Sequence, residues 1–334
     1  MLILGIESSC DDAAAAVIET SRPGVARVLS STVANQDDIH RAYGGIVPEL
    51  ASRNHVITIL PVVHRALESA RVSLAEINGI AVTRGPGLVG SLLVGLMCAK
   101  GIAQVSGIPM VGVNHIEGHL LAPLLENEIE MPYLALVVSG GHTALFAVED
   151  FGRYRRLGTT RDDAAGEAFD KVAKLMGLGY PGGKVIDDLA RRGNRRRVKI
   201  PRARVKGAPL DFSFSGVKTA VATFLRGNAG ASTAPEDLAA SFQEAIVDML
   251  IAPTLAAARQ TGAATVALTG GVAANSRLRE RLTAAAEDEG LRVVTPSLKY
   301  CTDNAAMIAL AGGWRLLRGE RDALTIDAEA GLPL

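Results

Sequence analysis

The sequence predicts an α/β protein built from two similar halves, and three observations predict it. Residues 2–6 with 13–18, and 133–138 with 143–148, are two pairs of short apolar runs, each joined by a small polar turn. That is the pattern of a β-hairpin. Each hairpin is followed by alternating helical and strand patterns, which suggests one α/β layout used twice with a cleft between the halves. Composition agrees: 334 residues with 48% hydrophobic and 4% aromatic content suit Ala/Val/Leu-rich cores, in a chain long enough for two domains.

The first hairpin turns through Glu7-Ser8-Ser9-Cys10-Asp11-Asp12. Pro48 then opens a helix, because proline is favoured in a first helical turn. Its expected core stripe is Leu50, Ile57, Leu60 and Leu67, with a kink at Pro61. The apolar stretch 87–113 contains Lys100, Gln104 and Pro109, so it reads as a buried helix followed by a strand rather than a membrane span. The break between halves is expected within 112–132. Beyond it come the second hairpin, turning through Ser139-Gly140-Gly141-His142, and a helix over 238–258. A strand at 265–269 runs through Gly270-Gly271 into a helix over 275–285, a layout able to hold a nucleotide. The last helix, 305–317, is expected to pack back on the first half. The domains expected are therefore 1–112 plus 306–334, and 113–305, with a metal and nucleotide site in the cleft.

Lysine plus arginine equals aspartate plus glutamate at 35 each, so no global field attracts nucleic acid, and any such contact needs a local patch. The one dense positive run is 191–206, with nine basic residues and no acidic one. It suits phosphates or a solvated loop about equally. Three cysteines without paired spacing, Cys10, Cys98 and Cys301, fit a reducing compartment. The N-terminus shows no basic leader or cleavage site and reads as a first strand, so the expected location is the cytoplasm, without a membrane anchor.

The chemistry concentrates in HIEGH at 115–119 and TDN at 302–304. Residues i and i+4 of a helix share a face, so His115 and His119 can reach one cation. Asp303 would complete a two-histidine, one-carboxylate set with open positions, as a catalytic Fe(II), Mn or Zn site has. A zinc protease would carry its glutamate directly after the first histidine. Glu117 lies one place later, about 200° around the helix from His115, and should point away. The ordinary alternative for Asp303 is a cap for the helix that follows.

Other residues leave two readings open. Ser139-Gly140-Gly141 can cradle a phosphate or acyl oxygen, or simply form a turn. Tyr180-Pro181-Gly182-Gly183, between Asp170 and Asp187, can bind ribose hydroxyls or be a solvated loop. Asn275 can cap a helix or meet a nucleotide. Asp11 can act as a general base or cap a turn.

Taken together, ESSCDD at 7–12, YGGIVPELASRNH at 43–55, HIEGH, VSGGHT at 138–143, GEAFDK at 166–171, YPGG, FSFSGVKT at 212–219, TGGVAAN and CTDNAAMIA at 301–309 resemble one family across nearly the whole chain. It is the universal tRNA threonylcarbamoyladenosine-modifying transferase family, called TsaD in bacteria and once labelled glycoprotease. The resemblance implies two ribonuclease H-like lobes of the actin, hexokinase and heat-shock ATPase superfamily. It implies transfer of a threonylcarbamoyl group from threonylcarbamoyl-AMP to the N6 amine of adenosine 37, beside the anticodon, in tRNAs reading codons that begin with A. His115, His119 and Asp303 would hold one divalent metal ion, iron as Fe2+ in this family, with Zn2+ the alternative. Val137, Val138, Ser139, Gly140, Gly141, Asp170, Gly183, Asp187 and Asn275 would bind the adenylate donor. The implied partners are a paralogous non-catalytic scaffold of the TsaB type and a small P-loop ATPase of the TsaE type, since this chain has no Walker A lysine motif. Three rivals stand beside this reading: a metalloprotease, against which the displaced Glu117 counts; a small-molecule kinase, in which the triad has no use; and a non-catalytic assembly subunit, against which the intact triad counts.

Overall fold

Two sheets of the same design organise the chain. The computed structural model describes the backbone of residues 1–334 and every side chain except those of Ala229 and Ala231. The elements begin β1 (Leu2–Glu7), β2 (Ala13–Arg22), β3 (Val25–Ala34), α1 (Asp37–Arg41) and α2 (Pro48–Ala70). Next come β4 (Gly79–Gly85), α3 (Val89–Ser106), β5 (Met110–Asn114) and α4 (His115–Leu121). The second half has β6 (Tyr133–Val138), β7 (Thr143–Asp150), β8 (Arg153–Thr159), α5 (Ala165–Leu175), α6 (Gly182–Ala190) and α7 (Ser215–Arg226). It continues with α8 (Asn228–Ala231), α9 (Pro235–Thr261), β9 (Thr265–Thr269), α10 (Ser276–Glu287) and β10 (Arg292–Val294). α11 (Leu298–Cys301) and α12 (Ala305–Leu317) end the sequence of elements.

Both predicted hairpins are present, β1 with β2 and β6 with β7, each antiparallel. The first sheet runs β3-β2-β1-β4-β5 and the second, read from its hairpin edge, β8-β7-β6-β9-β10. Antiparallel neighbours need only a tight turn, whereas parallel neighbours need a crossover. α2 and α3 supply the crossovers into β4 and β5, and α10 supplies the one between β9 and β10. Repetition of one strand order is the duplication that the hairpins predicted.

The chain divides into a first lobe of Met1–His40, Ile46–Glu128 and Pro296–Leu334, and a second of Arg41–Gly45 and Ile129–Thr295. This division differs from the boundaries expected at 112/113 and 305/306. β5 pairs with β4, and α4 follows β5 without a linker, so the stretch through the HIEGH motif stays with the first sheet. His115, His119 and Asp303 therefore all belong to one lobe.

α12 is buried on every side, including Met307, Ile308, Leu310 and Trp314, as befits a helix central to its lobe. Gly312 lets it lie close to the sheet, since a Cβ there would come within 2.3 Å of the Ala81 Cβ. α2 corrects the sequence reading. Its buried face is Ala51, His55, Ile59, Val62, Val63 and Ala66, whereas Ile57 and Leu60 are 72% and 62% exposed. Leu50 and Leu67 of the expected stripe are half-buried, Leu67 against the core, so only Ile57 and Leu60 turn out to solvent. α3 is likewise only half a core helix: Leu92, Leu96 and Ala99 are buried, but Val89, Leu93, Met97 and Val105 are exposed. α3 and α9 are long and apolar enough by composition to cross a membrane, and 33% and 78% of their most apolar 18-residue stretches are buried in the protein.

Candidate metal centre and glycine cradle

In the first lobe, β5 ends at Asn114, whose side chain accepts from Ile116 N and Glu117 N and so starts α4 at His115. The two histidines then fall one turn apart, with ring centroids 4.7 Å from each other. Gly118 between them faces α12, where a Cβ would press within 2.8 Å of Ile308 Cδ1. A larger residue would have to displace the side chains of Ile308 and Met307, on the helix that follows Asp303. The cap of α12 is Asn304, accepting from Met307 N at 3.0 Å. Capping thus falls to the neighbour, and Asp303 turns to the histidines. Its Oδ1 lies 3.1 Å from His119 Nε2 and 3.6 Å from His115 Nε2.

These three residues form a cluster whose ligand atoms all lie within 4.8 Å of one another. Ligands about 2.1 Å from one ion sit roughly 3.0–3.4 Å apart; the His119–Asp303 separation has that spacing, and the His115–Asp303 separation lies slightly beyond it. Glu117 is buried and is not one of the three clustered residues.

Sequence reasoning missed Glu7. It is fully buried at the end of β1, accepts from Thr83 Oγ1 at 2.6 Å and Ser9 N at 2.5 Å, and lies 3.0 Å from His115 Nδ1. Ser9 Oγ also approaches that nitrogen, at 3.1 Å. A carboxylate on one imidazole nitrogen orients the ring and makes the other a better metal ligand. The available signal was a charge ending an otherwise apolar strand, LILGIE.

The field of the site calls for a cation. Burial disfavours a charged His115, but Glu7 and Asp303 outweigh it and push the imidazole up to about 9. Burial raises Glu7 as well, yet the charge and hydrogen bond of His115 hold it below the usual carboxylate value. His119 Nδ1 is buried without a partner among the described residues. Two histidines and one carboxylate, backed by a second buried carboxylate, are a suitable donor set for a divalent ion.

The turn between β1 and β2 adds acid. Burial raises Asp11, with Asp303 adding to the shift against hydrogen bonds that lower it. Burial, then the charges of Asp11 and Asp303, push Asp12 up to about 8.

The predicted donor residues all lie in the second lobe, where the structure separates two kinds of glycine. Gly166 and Gly182 are required by packing, since a Cβ would come within 2.6 Å of Ser139 O or 2.7 Å of Phe169 O. Gly270, at φ +93°, would strike Val138 O. Gly140, Gly141 and Gly183 have neither a left-handed backbone nor any atom within 4 Å of an added Cβ. Neither packing nor backbone conformation accounts for those three, which leave open space at the end of β6 and the start of α6.

Around them, Val137 and Val138 are buried in β6, and Ser139 N donates to His142 O at 2.8 Å. Asp170 Oδ1 accepts from Gly182 N at 2.8 Å. Asp187 accepts from Ser276 N at 3.2 Å and Ser276 Oγ at 2.8 Å. Asn275 takes the capping alternative, accepting from Leu278 N and donating to Gln243 Oε1. These aspartates and Asn275 tie α5, α6, α9 and α10 together, so they shape the second lobe whatever they bind.

A family model described as TsaD, tRNA N6-adenosine threonylcarbamoyltransferase, matches residues 27–310. The chain is 52% identical to the tRNA N6-adenosine threonylcarbamoyltransferase of Syntrophotalea carbinolica, covering 100% of this chain and 97% of that protein. It is 55% identical to the protein of that name from Anaeromyxobacter dehalogenans strain 2CP-C, covering 98% of each. Among solved structures, full-length HypF superposes with a TM-score of 0.61 at 13% identity, over 93% of this chain and 54% of that one. Component A of the Acidaminococcus fermentans (R)-2-hydroxyglutaryl-CoA dehydratase gives 0.54 at 14%, over 94% and 96%. Those two likenesses are of fold alone. By the family match and by identity along its whole length, this chain is a transferase that belongs to the TsaD family of tRNA N6-adenosine threonylcarbamoyltransferases.

Proposed function

We propose that the chain transfers the threonylcarbamoyl group of threonylcarbamoyl-AMP to the N6 amine of adenosine 37, in tRNAs reading codons that begin with A, with release of AMP. The observation that carries this reading beyond the family name is the convergence of His115, His119 and Asp303, with Glu7 behind His115. These three residues would hold one divalent ion, Fe2+ or Zn2+. When bound, it supplies a Lewis acid that polarises the carbamoyl carbonyl.

The residues divide the remaining work. The N6 amine forms the new C–N bond at the carbamoyl carbon, the carbon–oxygen bond to the phosphate breaks, and AMP leaves with that electron pair. Asp11 accepts the N6 proton, and its raised pKa makes it a stronger base than an exposed aspartate. The Ser139-Gly140-Gly141 turn and Gly183 offer backbone N–H groups to the adenylate, without side chains to hold it off.

A scaffold of the TsaB type is the proposed partner of α2 and α3. That reading is supported by the large exposed apolar side chains Val56, Ile57 and Leu60 on one helix and Leu93 and Met97 on the other. A TsaE-type ATPase would supply the nucleotide cycle. Three free cysteines, Cys10, Cys98 and Cys301, support a cytoplasmic location.

The test is nucleoside analysis of unmodified tRNA incubated with the protein, the two partners and purified threonylcarbamoyl-AMP, beside His115→Ala. Threonylcarbamoyladenosine should form with the wild type and drop by more than the roughly 100-fold that loss of a mere supporting residue costs. No product from the wild type, with donor and partners verified, would overturn the proposal.

A further inference from the structure

The basic run at 191–206 is anchored rather than loose. Val198 and Ile200 are buried, and Val198 N donates to Ser241 Oγ at 3.1 Å. Asn194 N donates to Asp237 Oδ1 at 2.7 Å, and Ser241 Oγ donates to Asn194 O at 3.3 Å. At Gly193 the loop touches α9 so closely that a Cβ would fall 1.9 Å from Glu236 O. α9 is thus a rail along which the run is laid, starting where α6 ends. That helix also carries Gly183 and Asp187.

Anchoring sorts the cations into two groups. Arg191, Arg192, Arg195 and Arg202 pair with Asp187, Glu236, Glu244 and Asp248 at 3.4, 3.7, 3.9 and 2.9 Å. Arg196, Arg197, Lys199, Arg204 and Lys206 are exposed and form no ion pair among the described residues. Beside them a cavity of 620 Å³ is lined by Arg195, Arg196, Arg202, Arg277 and Arg281, with Glu244 and Asp248 as its only acids. Five guanidinium groups against two carboxylates leave an excess of three positive charges. Glu244 accepts from Arg277 Nε at 2.7 Å and also pairs with Arg281, so the carboxylates hold the arginine forks in place without cancelling them.

We infer that this anchored loop and the guanidinium cavity beside it form a phosphodiester-binding surface for the tRNA substrate. The inference rests on the transferase reading and deepens it. Arginine forks match phosphate oxygens in pairs, and the chain as a whole is neutral, so attraction has to be local. The run contains no aromatic residue on which a base can stack, a feature of surfaces that read bases in single strands. It therefore grips the backbone and leaves choice of the base to other residues.

The experiment measures binding of unmodified tRNA transcripts to the full chain across a salt series, with modification assayed in parallel. Arg196→Glu/Arg197→Glu/Lys199→Glu is compared with wild type and with Arg22→Glu/Arg27→Glu/Arg65→Glu, a control with the same charge change on the first lobe. Each lost phosphate contact lowers the log–log salt slope by about 1. The loop variant should therefore have a slope shallower by about 3 and a weaker Kd for every cognate tRNA alike, with kcat at saturating tRNA retained. An unchanged slope and Kd overturns the inference, and so does an equal loss in the control, which would assign the effect to net charge. Failure of the transferase reading looks different: the wild type itself would yield no threonylcarbamoyladenosine from supplied donor.

Discussion

The turn between β1 and β2 and the turn between β6 and β7 occupy the same place in the same strand order, yet they are built for opposite chemistry. The first ends its leading strand on the buried Glu7 and continues through Asp11 and Asp12. The second ends its strand on Val138 and continues through Ser139, Gly140 and Gly141, with open space where two side chains would be. One turn gathers negative charge beside two histidines, and the other removes side chains and presents backbone. The duplicated fold supplies position only, and chemistry enters through a handful of residues at the strand ends.

The most damaging way to break this contrast is to make the first turn as neutral as the second. Glu7→Gln keeps the shape and an acceptor for His115 Nδ1 but deletes the charge behind the imidazole. Metal affinity, read by competition with a chelator, should fall about 10- to 100-fold, the usual cost of a supporting partner of a metal-bound histidine. Turnover should follow and recover with added metal. Unchanged affinity would mean that Glu7 only fills space.

The second turn is tested by adding a side chain. Gly140→Ala meets nothing within 4 Å, so thermal stability should be kept, while the KM for the donor rises about 10-fold because the methyl group holds the ligand off. Gly166→Ala is the contrasting case. Its Cβ would lie 2.6 Å from Ser139 O, and overpacking of this kind costs about 1–3 kcal/mol. If both substitutions lower the melting temperature equally and leave KM alone, the open glycines belong to the fold and not to a ligand.

Local features were the most legible in the sequence. The hairpins, the strand and glycine turn before α10, and the two histidines of α4 all depend on neighbours within a few residues, and each appears where spacing put it. Lobe boundaries were less legible, because nothing local says that β5 pairs with β4 and keeps HIEGH in the first lobe. The stripe on α2 was only partly right because aliphatic spacing alone does not say which face meets the sheet: Leu67 packs half-buried against the core, but Ile57 and Leu60 face outward, and Ala51, Ile59, Val62, Val63 and Ala66 make the buried face. Glu7 was hidden for a related reason. It sits 108 residues from His115, and a polar residue at a strand end is ordinarily part of a turn.

A stability comparison across pH tests whether the acidic turn and the metal ligands share one field. Asp12 is raised to about 8 by burial and by the charges of Asp11 and Asp303, whereas an unfolded aspartate titrates near 4. Between those values the folded state binds more protons than the unfolded one, so this group's contribution to stability falls as pH rises from about 4 through 8 and stays lost above that. Asp12→Asn, which cannot ionise, should be nearly neutral at pH 4 and stabilising at pH 8, by at most about 5 kcal/mol, in metal-free protein, as read from denaturant midpoints. Part of the repulsion comes from Asp303, so a divalent ion bound there offsets it and should shrink the gain at pH 8. A gain that is flat with pH, or indifferent to metal, would separate the turn from the metal site and leave the two hairpins differing in composition but not in electrostatic role.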